Sequence, residues 1–589
     1  MQVKEKVALL RAKMMENNID AFIIFSADPH MSEYLPDEWK EREWISGFTG
    51  SAGFVVITKD KAGLWTDGRY FTQAEEELIG SGIDLYKEGV EDTPNYIDWI
   101  IEETSEQGKV AVNALSTSHT DWQSLNKKLL QHQRQLIHLP LMDQVWKERA
   151  TNSIKPIFIH PVERAGTTAV EKISNIKSKI RDLGASAHVI TTLDDIAWTL
   201  NLRGSDVDCN PVFLAYLLFT KDQTTLFVDE RKINQHVRQQ MQAASVNIKA
   251  YTDFLSSLKD IEKEKVLLAP NCNQYIFETL KDRNEIIVQQ APSTLMKALK
   301  SPTELAGART VMVRDGVAMV KFLYWLTHEV GTTPLTEYEI GQQLRKFRAQ
   351  GDNFVGESFG SIVGYQGNGA IIHYSAKSKN SAQVEKYGSL LVDSGGQYLE
   401  GTTDITRTVP LGELSDKFKR DYTLVLQGHI RLSQAKFPKG TRGAHLDTLA
   451  RIALWEEGKD YNHGTGHGVG SFLNVHEGPQ NIRKDLNPQE LLPGMIISNE
   501  PGYYVVGQYG IRHENLIVVK EWEKTEWNTF YEFETLTFCP FFKSPIVKEL
   551  LTPSEIKWLN DYHQQCKDKL SPHLNGETLE WFLDLVSPI

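Results

Sequence analysis

The chain has 589 residues, more than a single hydrophobic core usually supports, so its length predicts two to four domains. Its net charge of −13 and its pI near 5.8 argue against nucleic-acid binding, which would require a basic surface. The N-terminal residues mix charged and apolar side chains, and no apolar run is long enough to cross a bilayer, so we expect neither a signal peptide nor a membrane span.

The cysteine pattern indicates the redox environment of the cellular compartment in which the protein acts. Cys209, Cys272, Cys539 and Cys566 are scattered along the chain without the close spacing of a metal-binding pair. This pattern is typical of reduced thiols, because disulfide frameworks belong to oxidising compartments. We therefore expect a cytoplasmic protein.

A short motif repeats in the first half of the chain. Leu64-Trp-Thr-Asp67-Gly-Arg69 recurs as Leu226-Phe-Val-Asp229-Glu-Arg231, and an amphipathic helix pattern and an apolar run precede each copy. The alternative is chance similarity of short strand motifs. The succession of elements predicts two tandem α/β domains of similar fold, residues 1–147 and 148–301.

The remaining residues, 302–589, form a third predicted domain. It begins at a capping box, because Ser301 precedes Pro302 and a glutamate follows three positions after the serine. The same spacing of threonine and glutamate predicts helix starts after Thr336 and Thr552. Between these helices, apolar runs separated by glycines predict β hairpins.

Two aspartates of this domain stand out. Asp393 and Asp404 each lie in a β-type run, and Gly395 and Gly396 between them could turn the chain. A hairpin of this kind would place both carboxylates on one metal ion. Either aspartate alone would more often reflect turn chemistry.

One imidazole and two further carboxylates follow in the order His467, Glu500, Glu514. Glu514 lies within a strand pattern, where an inward-facing acid needs a partner. Together with the two aspartates this makes four carboxylates and one nitrogen ligand without a thiolate. Such a set suits two hard or borderline divalent cations, and manganese fits it better than structural zinc.

Two rival motifs overlap this region. His463 and His467 have the spacing of a zinc-protease helix, but Gly464, Gly466 and Gly468 disfavour a helix there. The same glycines imitate a dinucleotide-binding loop, but the preceding segment is polar and does not predict the apolar strand which that loop requires. Both rival interpretations are therefore weak.

Asp393, Asp404, His467, Glu500 and Glu514 match, in chain order, the metal ligands of the pita-bread metallopeptidases, which include methionine aminopeptidase, prolidase and aminopeptidase P. The chain most closely resembles the long, three-domain Xaa-Pro aminopeptidases, and the resemblance extends over nearly its whole length. The segments that carry it include Trp65-Thr-Asp-Gly-Arg-Tyr70, Gly369-Ala-Ile-Ile-His373-Tyr, Gly401-Thr-Thr-Asp404-Ile-Thr-Arg-Thr, His463-Gly-Thr-Gly-His467-Gly-Val-Gly and Glu500-Pro-Gly-Tyr-Tyr504. The resemblance implies a pita-bread catalytic domain after two tandem α/β domains.

The resemblance also implies roles for residues near the ligands. In the family, the residues that match His373, His463 and His476 contact the substrate and its developing charge rather than the metals. Tyr504 and Arg512 stand beside ligands, and two interpretations stay open for them: substrate contact, or a core tyrosine and a charge-balancing arginine. Family members of this length usually pair through the catalytic domain, which implies a homodimer.

The expected chemistry follows from such a site. Two divalent cations, with Mn²⁺ the best fit and Zn²⁺ or Co²⁺ as alternatives, could share a hydroxide that attacks an amide carbonyl, while anchoring a free α-amino group. Glu500 could carry the proton from the water to the leaving nitrogen. A proline nitrogen has no N–H to donate, so its site must supply an apolar wall and a proton donor, tasks that His373, His476 and Tyr504 could share. We therefore expect an aminopeptidase that removes an N-terminal residue preceding proline in peptides.

Two other functions are considered. A prolidase would cut Xaa-Pro dipeptides, but the long N-terminal half with two tandem domains argues against it. A non-catalytic binding protein of the same fold is disfavoured because all five ligands are present.

Two positions depart from the common family pattern: Asn499 precedes Glu500 where an acidic or apolar residue is frequent, and His513 stands where we expect an aliphatic residue. Strand alternation predicts that His513 points away from Glu514, so its effect should be slight.

Overall fold

The structure is a computed structural model that describes residues 1–151, 154–379 and 381–589. The chain divides into two compact units: Met1–His160 with Thr167–Ser293, and Pro161–Gly166 with Thr294–Ile589. Among the described residues, no helix combines the length and the apolar composition needed to cross a bilayer.

The first unit contains two six-stranded mixed sheets and a pair of two-residue strands. The strands are β1 (Ala21–Phe25), β2 (Phe54–Thr58), β3 (Ala62–Thr66), β4 (Asp84–Lys87), β5 (Lys109–Val112), β6 (Gln135–His138), β7 (Phe158–Ile159), β8 (Ala187–Ile190), β9 (Leu202–Arg203), β10 (Ala215–Phe219), β11 (Thr224–Val228), β12 (Val246–Ala250), β13 (Lys265–Leu268) and β14 (Glu285–Val288).

The two sheets have equivalent strand orders. The first runs β4-β3-β2-β1-β5-β6 and the second β12-β11-β10-β8-β13-β14. The antiparallel hairpin β2–β3 in the first corresponds to β10–β11 in the second. The repeated motif begins in the second strand of each hairpin and continues past its end, and its arginine donates to its aspartate in both copies, Arg69 to Asp67 and Arg231 to Asp229. The predicted tandem α/β fold is therefore confirmed, while the boundaries at residues 147 and 301 stay a prediction.

The α-helices of the chain are α1 (Val3–Glu16), α2 (Glu41–Ser46), α3 (Phe71–Glu77), α4 (Tyr96–Glu103), α5 (His119–Gln131), α6 (Met142–Val145), α7 (Val162–Ala165), α8 (Ala169–Asp182), α9 (Leu193–Leu200), α10 (Gln235–Ala243), α11 (Phe254–Ser257), α12 (Gln274–Lys281), α13 (Pro292–Ala298), α14 (Pro302–Glu329), α15 (Glu337–Arg348), α16 (Asp416–Ser433), α17 (Gly443–Trp455), α18 (Pro553–Leu570) and α19 (Gly576–Leu585). Capping boxes at Ser301, Thr336 and Thr552 begin α14, α15 and α18, as predicted.

The second unit holds the remaining strands: β15 (Leu335–Thr336), β16 (Phe354–Glu357), β17 (Ile362–Tyr365), β18 (Gln383–Val384), β19 (Ser389–Ser394), β20 (Gly396–Tyr398), β21 (Gly401–Thr402), β22 (Ile405–Pro410), β23 (Lys436–Pro438), β24 (Gly466–Gly468), β25 (Glu477–Ile482), β26 (Ile496–Asn499), β27 (Gly502–Val505), β28 (Tyr509–Arg512), β29 (Asn515–Lys524) and β30 (Thr529–Thr535). Its largest sheet has the order β23-β30-β29-β26-β24-β25, and a smaller sheet has the order β17-β19-β22.

Helix α14 supports the smaller sheet. Its apolar face, which includes Phe322 and Leu323, packs in one buried cluster with Leu390 and Val392 of β19. Because side chains alternate along a strand, burial of these two residues against the helix turns Asp393 toward the opposite face. The core packing therefore decides which way the first candidate ligand points.

The turn between the two aspartates differs from the prediction. Strand β19 pairs with β22, with Asp393 opposite Thr406, so the expected antiparallel pairing is present. The chain, however, does not reverse at Gly395 and Gly396. It enters a separate sheet, and the turn lies between Tyr398 and Gly401, which pair in the β20–β21 hairpin. Gly395 instead allows the chain to pass close to the backbone of Thr403, because a Cβ on Gly395 would lie 2.0 Å from the Thr403 carbonyl oxygen.

Candidate active site

Three of the predicted ligands converge directly. Donor atoms of Asp404, His467 and Glu514 all lie within 4.8 Å of one another. Asp404 lies between β21 and β22, His467 lies in β24, and Glu514 lies between β28 and β29. The residues are distant in sequence, so only the packing of the two sheets brings them together.

Glycines allow the strand of His467 to approach its neighbours. A Cβ on Gly466 would lie 1.9 Å from the Ser498 carbonyl oxygen, and one on Gly468 would lie 2.2 Å from the Glu477 carbonyl oxygen. These distances are far below a normal contact. The glycine-rich run therefore serves close strand packing rather than a phosphate-binding loop or a helix.

The hydrogen bonds of His467 orient its ring. Its Nδ1 lies 2.9 Å from the Gly468 carbonyl oxygen, which can only accept, so Nδ1 carries a proton. Nε2 lies 3.4 Å from both Asp404 Oδ2 and Glu500 Oε1. Burial disfavours the imidazolium, but these two carboxylates outweigh it and raise the pKa of His467 to about 9. When the ring is neutral, Nε2 is a free lone pair directed at the carboxylates, the usual arrangement of a metal-binding histidine.

Asp393 joins the cluster through an arginine. Its Oδ2 accepts a hydrogen bond of 2.6 Å from Nη2 of Arg512, whereas its buried Oδ1 has no hydrogen-bond partner among the residues that the structure describes. Burial raises the pKa of Asp393, Arg512 opposes that rise, and Asp404 adds to it. An orphaned buried carboxylate oxygen beside other carboxylates is an available cation ligand.

Glu500 and Glu514 complete the cluster, and each accepts a hydrogen bond from a hydroxyl. Ser498 Oγ donates to Glu500 Oε1 at 3.0 Å, and Thr406 Oγ1 donates to Glu514 Oε2 at 2.7 Å. Burial raises the pKa of Glu500 to about 7 and raises that of Glu514 well above its ordinary value, and the neighbouring carboxylates add to both effects.

The charges of the cluster test whether divalent cations fit it. Four carboxylates are gathered with two possible cations, Arg512 and His467. Buried like charges repel strongly unless they are compensated. Two dications would offset the surplus, and the donors, carboxylate oxygens and one imidazole, are those that hard and borderline cations prefer. The residues present therefore fit the predicted metal pair.

The candidate substrate residues His463, Tyr504 and Arg512 form a hydrogen-bonded chain. Arg512 Nη1 donates to the Tyr504 hydroxyl at 2.7 Å, and that hydroxyl lies 2.8 Å from Nε2 of His463. His463 Nδ1 donates to the Gly464 carbonyl oxygen at 2.8 Å, so Nε2 of the neutral ring accepts from Tyr504. Burial raises the pKa of Tyr504 to about 12, which keeps its hydroxyl protonated. Arg512 thus connects Asp393 with this chain, and both interpretations of Tyr504 and Arg512 stay compatible with the geometry.

The other two histidines lie near different members of the cluster. The ring of His476 meets that of His467 edge-on, with centroids 4.3 Å apart and an interplanar angle of 74°. His373 follows Ile372, whose carbonyl oxygen lies 3.4 Å from Nη2 of Arg512. All the candidate residues therefore belong to one neighbourhood, and their individual roles stay predictions.

Sequence reasoning missed Thr406. Its Oγ1 donates to Glu514 and lies 3.3 Å from Nε of Arg512, so one hydroxyl joins a ligand to the arginine that holds Asp393. Its backbone carbonyl also accepts from the Glu514 amide at 3.2 Å. Its position two residues after Asp404, on the same strand face as the site, was the available signal.

The two departures from the family pattern have structural explanations. Asn499 Nδ2 donates to the His429 carbonyl and to Ser433 Oγ, both at 2.9 Å, which ties β26 to helix α16. His513 is fully buried against Tyr422, and burial lowers its pKa well below the ordinary value, so the ring is neutral. The prediction that His513 points away from the ligands is confirmed.

Comparison with family profiles covers almost the whole chain. Residues 6–144 match the creatinase/prolidase N-terminal domain, and residues 148–304 match a second profile of that domain. Residues 306–521 match metallopeptidase family M24, and residues 529–589 match the C-terminal region of peptidase M24. These matches identify the class of protein to which the fold corresponds, that of the metallopeptidases.

Full-length relatives refine this class. The chain is 41% identical over 602 residues to a probable Xaa-Pro aminopeptidase P of Laccaria bicolor, covering 99% of this chain and 93% of the relative. It is 40% identical to aminopeptidase P2 of Arabidopsis thaliana, covering 99% and 88%. An X-prolyl aminopeptidase from Caenorhabditis elegans has a crystal structure that superposes with a TM-score of 0.97, at 34% identity and with full coverage of both chains. The chain therefore belongs to metallopeptidase family M24 and, within it, to the Xaa-Pro aminopeptidases, which favours this activity over that of a prolidase or a non-catalytic binding protein.

Proposed function

We propose that this enzyme removes the N-terminal residue from peptides whose second residue is proline, at a site formed by the five candidate ligands. The observation that carries the proposal is the convergence of Asp404, His467 and Glu514 within 4.8 Å, in a chain whose full-length relatives are Xaa-Pro aminopeptidases. The similar protein from Caenorhabditis elegans is described as a cytosolic enzyme with a di-nuclear active site. By similarity, the present chain is proposed to hold two divalent metal ions and to act in the cytoplasm.

Asp393, Asp404, His467, Glu500 and Glu514 are the residues that would hold the metals, with Mn²⁺ as the proposed pair. When bound, divalent cations activate a water and polarise the scissile carbonyl as Lewis acids. Asp404 and Glu514 belong, with His467, to the group whose donor atoms lie within 4.8 Å of one another, and they would hold the metals there. The hydrogen bond from Arg512 orients the carboxylate of Asp393, and the hydrogen bond from Nδ1 of His467 orients its ring. Both side chains are therefore preoriented for metal binding.

Proton transfer is assigned to Glu500. Its Oε1 is fixed by Ser498 while the side chain keeps 17% of its surface exposed, so it can be reached from the solvent side of the cluster. A carboxylate in this position can accept a proton from the attacking water and deliver it to the departing proline nitrogen. The amine must be protonated to leave, because an amide anion is a poor leaving group.

The histidines and Tyr504 are assigned to the substrate. His463 is held by Tyr504 and His476 by its contact with His467, so two imidazoles have defined orientations beside the carboxylates. With His373 they can hydrogen-bond the peptide carbonyl and stabilise the charge that develops on it. Such groups, rather than contacts to a scissile N–H, suit a proline at the second position.

The test is a comparison of substrates on the purified, metal-reconstituted enzyme. We expect two equivalents of divalent metal per chain, release of arginine from Arg-Pro-Pro, and much slower hydrolysis of Xaa-Pro dipeptides. The variant Asp404→Ala serves as the inactive control. Preference for the dipeptide would indicate a prolidase, and absence of both metal and hydrolysis would refute the enzyme. Light scattering on the same sample tests the proposed homodimer.

A further inference from the structure

Two buried lysines flank a buried glutamate next to His476. Lys300 Nζ forms an ion pair with Glu477 Oε1, and Lys297 Nζ lies 3.7 Å from Glu477 Oε2. The lysine side chains are 0% and 3% exposed, and that of Glu477 is 0% exposed. We call these three residues the Glu477 cluster. It is separate from the five candidate ligands, and the mechanism above does not use it.

The lysine side of the cluster is fixed to the backbone. Lys300 Nζ also donates to the Lys297 carbonyl at 3.0 Å, and the Lys300 amide donates to the Gly494 carbonyl at 3.1 Å. Gly494 precedes β26, the strand that leads to Glu500. The Lys300 ammonium therefore stands at a defined point and fixes Oε1 of the Glu477 carboxylate, while the Lys297 ammonium lies near Oε2.

The glutamate side leads directly to the active site. Glu477 begins β25 and pairs with Gly468 of β24, the residue after His467. The strands approach so closely there that a Cβ on Gly468 would lie 2.2 Å from the Glu477 carbonyl oxygen. His476 precedes Glu477, and its ring meets the ring of His467 at 4.3 Å. His476 is therefore bonded in sequence to Glu477 and in ring contact with the candidate ligand His467.

Stability alone does not account for charged residues at this place. Two ammonium groups and one carboxylate are costly to remove from water, and apolar side chains of similar volume usually serve burial as well or better. What an ion pair adds is a defined geometry, since its attraction depends on the placement of both partners. A displacement of about 1 Å at a catalytic group can lower a rate by about a hundredfold.

We propose that the Glu477 cluster positions the imidazole of His476 for the aminopeptidase reaction, which makes Glu477 a positioning residue that acts through its neighbour. The inference rests on the proposed function, because it assumes that the reaction uses His476.

The test is a double-mutant cycle on the metal-loaded, full-length enzyme with Arg-Pro-Pro as substrate. Glu477→Gln keeps the shape of the side chain and removes its charge. We expect it to lower kcat by about 10- to 100-fold, to leave KM and the metal content within about twofold, and to have less than a twofold effect in a His476→Ala background. Equal losses of kcat in both backgrounds would overturn the proposal, because a structural defect does not depend on His476.

A second pair of variants covers the case in which Glu477→Gln does not fold. Lys300→Arg preserves the charge and should retain kcat within about threefold, whereas Lys300→Met should lose it as Glu477→Gln does. The matched control is Lys232→Met, which breaks a Lys232–Asp206 pair whose side chains are each 2% exposed in the first unit. It should leave kcat unchanged in the folded protein. A loss of kcat for Lys232→Met as large as that for Lys300→Met would overturn the proposal.

A crystal structure of the Glu477→Gln variant gives a readout independent of activity. We expect the His476 ring to shift away from the His467 ring, and a ring that keeps its position would overturn the inference. Failure of the wild-type enzyme to cleave Arg-Pro-Pro would instead overturn the proposed function. The two failures are therefore distinguishable.

Discussion

Two buried charge clusters of the second unit differ in the balance of their positive and negative charges. In the first, the Asp315 cluster, Arg348 donates to both carboxylate oxygens of Asp315 at 2.8 and 3.2 Å, and the Tyr398 hydroxyl donates to the same carboxylate at 2.8 Å. One positive charge meets one negative charge, and the carboxylate is fully hydrogen-bonded. The second cluster consists of the five candidate ligands, where four carboxylates share Arg512 and His467.

The difference separates a structural role from a functional one. A charge-balanced pair needs no added cation, and its loss should affect folding. In the second cluster, burial and the neighbouring carboxylates raise the pKa values of Glu500 and Glu514, and added cations would offset the surplus negative charge. Its loss should affect activity far more than folding.

The largest expected effect is on turnover when a central ligand is removed. Asp404→Ala or Glu514→Ala should lower kcat by at least about 10⁴-fold, because either change removes a carboxylate from the group of donors that converges within 4.8 Å and would hold the metals. Metal analysis should show fewer than two equivalents. Without metal, each variant should unfold at a temperature equal to or higher than that of the metal-free wild type, because the repulsion among the remaining carboxylates is reduced. Two full equivalents of metal in either variant would contradict the assignment.

The next effect concerns the histidines outside the ligand set. His373→Ala and His476→Ala should bind both metals and lower kcat by about 10²- to 10⁴-fold, the usual cost of losing a positioned proton donor or polar stabiliser. Steady-state kinetics and metal content measure the two properties separately. Loss of metal would make these residues ligands, and near-normal turnover would make them structural.

The balanced cluster should respond in the opposite way. Arg348→Met leaves the buried Asp315 carboxylate without its cation and should lower the free energy of unfolding by about 3–5 kcal/mol. Turnover per folded molecule should change by less than about threefold. Chemical denaturation gives the first quantity, and kinetics at low temperature give the second. A large loss of turnover with little loss of stability would erase the distinction between the clusters.

The smallest expected effect is on the pH dependence of the metal-free enzyme. The pKa of Glu500 is raised to about 7 and that of His467 to about 9, so both bind protons more tightly in the folded chain than in the unfolded one. Their stabilising contribution is complete below their unfolded pKa values of about 4.5 and 6.5 and is lost as the pH rises through about 7 and 9. Stability should therefore fall between about pH 5 and 9, by roughly 1–3 kcal/mol.

Thermal unfolding of chelator-treated and metal-reconstituted samples measures this fall. The reconstituted enzyme should not show it, because the cations favour the deprotonated ligands. Glu500→Gln should flatten the metal-free profile between pH 5 and 7. If the stability of the metal-free enzyme instead rises with pH over this range, the negative charges of the carboxylates are already compensated by other groups of the protein.

The sequence was sufficient for those features that depend on short spacings. The capping boxes at Ser301, Thr336 and Thr552 predicted three helix starts, because capping involves residues within one turn of each other. The repeated Asp-x-Arg motif predicted the tandem sheets, and strand alternation predicted the direction of His513. The choice of candidate ligands came from residue types in chain order, and three of them do meet.

Tertiary structure alone decided what depends on contacts between distant segments. The turn between the aspartates lies in a second sheet because Gly395 allows a close crossing, which no local glycine pattern specifies. Thr406 joins Glu514 to Arg512 across more than a hundred residues, and Lys300 reaches Glu477 across 177 residues. A threonine or a lysine has the same local pattern whether it is buried or exposed. Its partner is set by the packing of sheets and helices, because hydrogen bonds and ion pairs act over a few ångströms in space rather than along the chain.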